Sequence, residues 1–131
     1  MEKITGTFEV RLTPQDVSYS HGTTLHGGRL NIDKTFEGPL SGSSHGEMLS
    51  MLDAGRSAGG YVAVEIFEGS VNGKSGSFAL QHYGKTDSTG QSLILEVVPG
   101  TGEGDLRGIR GSMNIRIESK QHFYDFEFAI P

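Results

Sequence analysis

The stretch YVAVEIFEGSVNGKSGSFALQHYG, residues 61–84, predicts a β-hairpin. Its centre, Asn72-Gly73, is the strongest short hairpin signal, because a two-residue type I′ turn needs positive φ at both central positions. Residues 61–71 are apolar enough to form a strand that is buried on both faces, with Glu65 in phase with the aromatic residues. The return strand carries an apolar stripe that ends in a histidine, formed by Gly76, Phe78, Leu80 and His82.

Alternation of apolar and polar residues continues through most of the chain. It predicts further strands over residues 4–12, 29–37, 40–52, 93–98, 113–118 and 122–130. Within residues 40–52 the pattern is weaker, and a short helix over 47–52 is the alternative. A long, polar and turn-rich loop is expected over residues 13–28, a further loop over 54–60 and a glycine-rich loop over 99–108.

Many short strands without a long helix indicate an all-β protein. We predict a single antiparallel β-barrel of about eight strands, lipocalin-like in outline, with little or no helix. A closed barrel is favoured over a sandwich because closure removes the unpaired edges that apolar strands would otherwise expose. The length of 131 residues predicts one domain, residues 1–131.

Composition excludes several classes of function. The chain has no cysteine, so it forms neither disulfides nor thiolate metal sites. A net charge of −5, with scattered basic residues, argues against a nucleic-acid partner. The sequence shows neither a signal peptide nor an apolar run of the roughly 18 residues that span a membrane. A cytoplasmic protein without a membrane partner is therefore expected.

The motifs for cofactors and metals fail on spacing. Residues 69–75 have three residues between two glycines, where a phosphate-binding loop needs four, and they join two strands. The glycine-rich run 100–104 precedes no helix, so a dinucleotide site is not predicted. His21, His26 and His45 lack the HExxH pattern and are interpreted as surface histidines. No cofactor and no metal site is predicted.

Five segments of the sequence together resemble a bacterial family of unknown function, DUF3224. They are GTFEV (6–10), YVAVE (61–65), GKSGSFALQH (73–82), VVP (97–99) and HFYDF (122–126). The resemblance covers essentially the whole chain. It implies a small β-barrel, related to the allene oxide cyclase and dirigent barrels, with a pocket. It does not imply cyclase chemistry, because the catalytic residues of that enzyme have no matching positions here.

One loop motif of the family departs from its usual form in this chain. The family sequence is usually Ser-Gly-Thr-Gly-Glu-Leu, and here residues 101–106 read TGEGDL. Glu103 stands where the family has threonine. A backbone-specific role of that position is therefore not carried over to this chain.

Polar residues that interrupt the apolar stripes are the candidate site residues. They are Lys34, Glu65, His82, His122 and Tyr124. As a ligand-binding site, they would use Glu65 or His82 as a general base, Tyr124 as a hydroxyl donor and Lys34 as an anchor for an anionic group. As a structural set, they would form a satisfied polar network at a barrel end, with both histidines at the rim. Lys34 and Glu65 are expected to pair, or to lie near water.

Three functions follow from this fold. The first is binding of a small, mainly apolar ligand inside the barrel. The alternative is a cofactor-free isomerase or cyclase that acts in the same pocket, with Glu65 and His82 as catalytic residues. The second alternative is a filled structural barrel that acts through a dimer interface. A homodimer is left open as a partner in each case, and an open interior separates the first two functions from the third.

Overall fold

The regular elements of the protein are β-strands. The computed structural model describes residues 1–19, 24–53, 55 and 57–131. Within them the strands are β1 (Glu2–Gln15), β2 (Leu25–Glu37), β3 (Leu40–Asp53), β4 (Ala58–Val71), β5 (Lys74–Asp87), β6 (Gly90–Val97), β7 (Glu103–Gly104), β8 (Arg110–Glu118) and β9 (Gln121–Ala129).

Eight of these strands close into a ring. Neighbouring strands follow the order β4-β3-β2-β1-β9-β8-β6-β5, and β4 pairs with β5 to complete the circle. Every pairing is antiparallel, and the short strand β7 pairs with Gly76 and Ser77 of β5, ahead of the part of β5 that pairs with β6. The prediction of an all-β antiparallel barrel of about eight strands is confirmed.

Several strands are longer than their sequence pattern indicates. β1 reaches Gln15 and β2 begins at Leu25, so the loop predicted over residues 13–28 is shorter. β3 is a strand as far as Asp53, and the helix considered over residues 47–52 is wrong. The reason is the ladder between β2 and β3, which continues to the pair Leu25 and Asp53. Such pairing overrides local propensity, which is weak and depends on context in strands.

The interior of the barrel is filled at one end. This end contains the β2–β3 turn and the β4–β5 turn, and we call it the filled end. Leu106 and Ile109 from the β7–β8 segment are buried here as well. Aromatic rings pack on one another at centroid distances of 5.0 to 5.9 Å. These rings belong to Phe36, Phe67, Phe78, Tyr124, Phe126 and Phe128.

A pair of glycines brings β3 and β4 close together near the filled end. Gly42 and Gly69 are directly paired across the two strands and have φ values of 149° and 157°. A Cβ atom on Gly69 would lie 2.8 Å from the Cα atom of Gly42 and would also strike the carbonyl oxygen of Ser41. Both conditions exclude a side chain, so the glycine pair allows the main chains of β3 and β4 to approach closely here.

The outer face of β4 differs from the sequence prediction. Val62, Val64 and Ile66 point outward and are 51%, 57% and 57% exposed, so the expectation that β4 is buried on both faces is wrong. An apolar run in a closed barrel has only one face inside, because neighbouring residues alternate across the wall. An exposed apolar row continues across β3 to β6 through the directly paired residues Leu49, Val62, Tyr83 and Ile94. This exposed row does not by itself establish a second copy of the chain as a partner, and the homodimer stays a prediction.

Candidate functional site

The other end of the barrel is open. It contains a cavity of about 740 Å³, bordered by the inner faces of β2 to β6 and β8. Its wall is mainly apolar and includes the aromatic ring of Tyr61. The aliphatic and sulfur-containing side chains of the wall are Leu30, Met48, Leu52, Leu93, Ile115 and Ile117. The barrel is therefore filled at one end and open at the other.

A buried polar cluster lies between the cavity and the aromatic core. Glu65 is its centre, with 1% of its surface exposed. Lys34 donates from Nζ to Oε2 of Glu65 at 3.0 Å, and Ser44 donates from Oγ to Oε1 at 2.6 Å. His82 Nε2 lies 2.5 Å from the same Oε2 atom. Lys34 and His82 are each 6% exposed, so this is an ion pair shielded from water.

Small residues beside Glu65 make room for the cluster. Gly46 stands directly opposite Glu65 on β3, and a Cβ atom there would lie 2.7 Å from the Cβ atom of Glu65. Ala63 stands opposite His82 on β5. Lys34 comes from β2, two strands away from Glu65, and is paired with Ser44 on the strand between them. The cluster therefore depends on the register of four successive strands, β2 to β5, as well as on the order of residues along each strand.

The charge of Glu65 is stabilised by its neighbours. Burial alone raises the pKa of this carboxyl group, because a low dielectric disfavours the charged form. The hydrogen bond from His82, the charge of Lys34 and the hydrogen bond from Ser44 act in the opposite direction. Together they hold the pKa of Glu65 at about 2, below its ordinary value of 4.5. Glu65 is thus a carboxylate at neutral pH.

This lowered pKa predicts a loss of stability in acid. The folded protein binds the Glu65 proton less tightly than the unfolded chain, so unfolding takes up a proton between pH 4.5 and about 2. Glu65 therefore adds about 3 kcal/mol to the free energy of unfolding. This contribution is fully present above pH 5 and is lost as the pH falls through about 2. Urea unfolding from pH 7 to pH 2 measures it.

The control for this pH dependence is the double variant Lys34→Met/Glu65→Gln, which lacks the titrating pair. Other acidic groups, such as Asp125 beside Arg116, also have a lowered pKa and remain in both proteins. The difference in unfolding free energy between the two proteins should therefore change with pH through Glu65. A constant difference from pH 7 to pH 2 would show that the pKa of Glu65 is not lowered.

Tyr61 connects the polar cluster with the cavity. It belongs to the cavity wall, and its Oη atom lies 3.5 Å from Nδ1 of His82. Its ring covers Gly84 on β5, where a Cβ atom would lie 2.9 Å from Cδ1 of the ring. Burial raises the pKa of the Tyr61 hydroxyl, and the charge of Glu65 adds to the effect. Tyr61 is therefore a neutral hydroxyl group at the cavity wall.

The sequence analysis did not select Tyr61, although a signal was present. The Asn72-Gly73 turn fixes the register of the hairpin, and this register places Tyr61 opposite Gly84. A large ring opposite a residue without a side chain is a common arrangement in curved sheets. The feature of the sequence that indicates the site is thus Gly84, the glycine paired with Tyr61, rather than the tyrosine itself.

Tyr124 lies away from the polar cluster. Its hydroxyl group accepts a hydrogen bond from the Leu40 amide at 3.0 Å and donates to the Glu37 carbonyl at 3.1 Å. Burial raises the pKa of this hydroxyl, while the hydrogen bond from Leu40 acts against the increase. Gly6 stands opposite Tyr124 and leaves space for the hydroxyl group. Tyr124 thus fastens the β2–β3 turn at the filled end.

The two candidate histidines have different surroundings. His82 is buried inside the barrel wall, so the expectation of a rim position is wrong for it. His122 is half-buried at the start of β9, and its ring lies 5.2 Å from that of Phe8. Phe8 in turn has the Lys34 ammonium 5.2 Å above its ring centre. The structure thus brings Lys34, Glu65 and His82 together, and their functional roles stay predictions.

Comparison with known proteins identifies the family. The family model for the protein of unknown function DUF3224 matches residues 4–128. The chain belongs to the DUF3224 family. A crystal structure of a DUF3224 protein of unknown function from Shewanella oneidensis MR-1 is 45% identical, with a TM-score of 0.96. The match covers 100% of this chain and 98% of the other. No curated protein matches the sequence.

The glycine-rich loop of this DUF3224 chain closes the filled end. Glu103 and Gly104 form β7 and pair with β5 through their main chain. Thr101 accepts a hydrogen bond from the Ala79 amide at 3.0 Å and donates to the Val98 carbonyl at 2.7 Å. Glu103, which replaces the usual threonine, is exposed. In this chain the position contributes its backbone to the sheet. The likeness to allene oxide cyclase and dirigent barrels stays a prediction.

The described part of this DUF3224 chain holds neither a cluster of metal ligands nor a membrane-spanning helix. Within it, no group of three or more histidine or acidic residues could hold a metal ion. His45 is exposed and contacts Asp33 at 2.6 Å, and His26 is exposed as well. His21 lies outside the described residues. The helices of the described residues include none that is long and apolar enough to cross a bilayer.

Proposed function

We propose that this protein binds a small, mainly apolar molecule in the cavity at the open end of the barrel. The observation that carries the proposal is the cavity of about 740 Å³ with a mainly apolar wall. Ligand sites in proteins have volumes of roughly 300 to 1,000 Å³ and are lined by apolar residues with few polar groups. A barrel that served as a filled structural unit would not need this space.

Lys34 is a poor anchor for an anionic ligand. Its ammonium group is paired with Glu65 at 3.0 Å and does not border the cavity. Moving it toward a ligand would leave the Glu65 carboxylate buried beside fewer donors, which costs several kcal/mol. Lys85 at the cavity wall is exposed and is the better placed cation for an acidic head group. The proposed ligand therefore contacts the cavity mainly through its apolar body.

A dye that fluoresces in apolar surroundings tests this proposal. N-phenyl-1-naphthylamine should bind the wild-type protein, and Ile115→Trp should weaken its binding by about tenfold or more because the indole fills the cavity. Asn114→Trp is the matched control. Asn114 precedes Ile115 on β8 and points to the outside of the barrel, so this variant adds the same ring without filling the cavity.

The measurement is a fluorescence titration of the three proteins, each checked for folding by its urea midpoint. Equal affinities for Ile115→Trp and the wild type would place the dye elsewhere, for example in the outer groove beside Leu49 and Val62. That result would contradict binding in the barrel. Native mass spectrometry of the purified protein adds the class of any molecule that remains bound.

Proton transfer on a bound substrate is the second candidate function. It is favoured by the contact of His82 with the Glu65 carboxylate, since a carboxylate that fixes an imidazole is a common device for a general base. Tyr61 would carry the proton between the cavity and Nδ1 of His82. An isomerase of this type needs no cofactor and uses the same cavity. If molecules that bind in the cavity are recovered chemically unchanged after incubation with the protein, proton transfer as its function is excluded.

A further inference from the structure

We infer that the Tyr61 hydroxyl accepts a hydrogen bond from the ligand, so that the ligand carries a hydroxyl group, a phenol or an aliphatic alcohol, at the end that enters the barrel. This inference rests on the proposed function and specifies its ligand class. It follows from the direction of the hydrogen bonds that run from the cavity to Glu65.

The direction is set at Glu65. A carboxylate has only acceptor atoms, and Lys34, with its three N–H groups, can only donate to it. The His82 Nε2 atom at 2.5 Å from the same oxygen must therefore carry a proton. Lys34 already balances the charge of Glu65. A second positive charge on His82 would be buried without a counter-charge, so we assign His82 as neutral.

A neutral His82 with a proton on Nε2 has a lone pair on Nδ1. The Tyr61 Oη atom is 3.5 Å from that nitrogen, so the Tyr61 proton points to His82. This is a long hydrogen bond, and it leaves the hydroxyl open to a further partner. The lone pairs of the Tyr61 oxygen are then the part of the group that is available to the cavity.

The ring of Tyr61 is held in place, so its hydroxyl cannot turn toward a different partner without repacking. It lies against Gly84 on the neighbouring strand. The cavity wall also includes the hydroxyl groups of Ser50, Thr86 and Ser92, and Ser50 is directly paired with Tyr61. These hydroxyl groups can donate as well as accept, whereas the Tyr61 hydroxyl, whose proton points to His82, offers a ligand an acceptor.

A ligand with a hydroxyl group completes the chain, since each group then donates to the next as far as Glu65. Chains of this kind strengthen each bond in them. A ligand with acceptors only would have to take the Tyr61 proton away from His82. The Nδ1 atom would then be buried without a partner, which is unfavourable. The site therefore discriminates between a hydroxyl compound and its methyl ether.

The test compares 4-nitrophenol with 4-nitroanisole, its methyl ether, at a pH where the phenol is protonated. Each compound displaces N-phenyl-1-naphthylamine in a competition titration. The wild type should bind 4-nitrophenol about tenfold more tightly than 4-nitroanisole, since an unpaired buried acceptor costs on the order of a factor of ten. Tyr61→Phe should reduce this preference to about twofold or less, because it keeps the ring and removes the acceptor.

Tyr83→Phe is the matched control. Tyr83 lies on β5 on the outer face and is 54% exposed, so this variant loses a hydroxyl group outside the cavity and should keep the preference. A second readout needs no variant. The absorption band of bound 4-nitrophenol should lie at longer wavelength than in an apolar solvent without acceptors, because its hydroxyl donates. The band of bound 4-nitroanisole should show no such difference from the same solvent.

The outcomes separate the inference from the proposed function. If the dye binds and both nitro compounds displace it equally, the cavity binds ligands and the hydroxyl inference is wrong. A preference that persists in Tyr61→Phe would also overturn it. If neither the dye nor the nitro compounds bind, the proposed function itself fails, and the inference fails with it.

Discussion

Glu65→Gln should lower the free energy of unfolding by about 3–5 kcal/mol at pH 7, because it leaves the Lys34 charge buried without a counter-ion. Lys34 pairs with Glu65 at 3.0 Å, and both side chains are buried. The glutamine side chain has the same shape as the glutamate, so the loss measures charge and hydrogen bonding rather than packing. Denaturation in urea at pH 7, with an unchanged m-value, is the measurement.

The double variant Lys34→Met/Glu65→Gln should recover most of this loss. It removes both charges, and apolar replacement of a buried ion pair is often close to neutral. Asp33→Asn is the surface control, because its partner His45 is exposed and such pairs contribute on the order of 0–1 kcal/mol. A loss of less than about 1 kcal/mol for Glu65→Gln, or no recovery in the double variant, would contradict a buried ion pair.

Local pattern was sufficient to predict a large part of the barrel. The Asn72-Gly73 turn fixes the register of β4 and β5, and alternation then places Glu65 and His82 on the inner face. The same argument places Lys34 inside on β2. These predictions succeed because a strand has a period of two, so one known inward residue fixes all the others in that strand.

Other features depend on how more than two strands are staggered against one another. Lys34 reaches Glu65 across β3, and no single strand pair determines that contact. Tyr124 points into the barrel, as Lys34, Glu65 and His82 do, yet its long side chain directs its hydroxyl group to the β2–β3 turn. The extent of the cavity is likewise set by how far the aromatic core fills the barrel. Sequence alternation gives the face of a residue but not its depth in the barrel.

Gly69→Ala should prevent the protein from folding or destabilise it by more than about 3 kcal/mol, since main-chain atoms can yield less than side chains. The added Cβ would lie 2.8 Å from the Cα atom of Gly42 and would strike the Ser41 carbonyl oxygen. The φ value of 157° adds strain for a residue with a side chain. Relief of the contact would require β3 to move away from β4, which breaks their ladder near the filled end.

Gly90→Ala separates the two causes of the expected loss, the contact of the added Cβ atom and the positive φ. Gly90 also has a positive φ, 134°, but a Cβ atom there meets nothing within 4 Å. This variant carries the backbone strain without the contact and should cost about 1–2 kcal/mol, as for other residues forced into an unfavourable backbone region. Soluble yield and urea midpoints of the two variants provide the comparison. If both lose the same stability, conformation alone explains the need for glycine, and the close approach of β3 and β4 does not constrain the fold. A larger loss for Gly69→Ala identifies the close approach of β3 and β4 as the reason that glycine is required at this point.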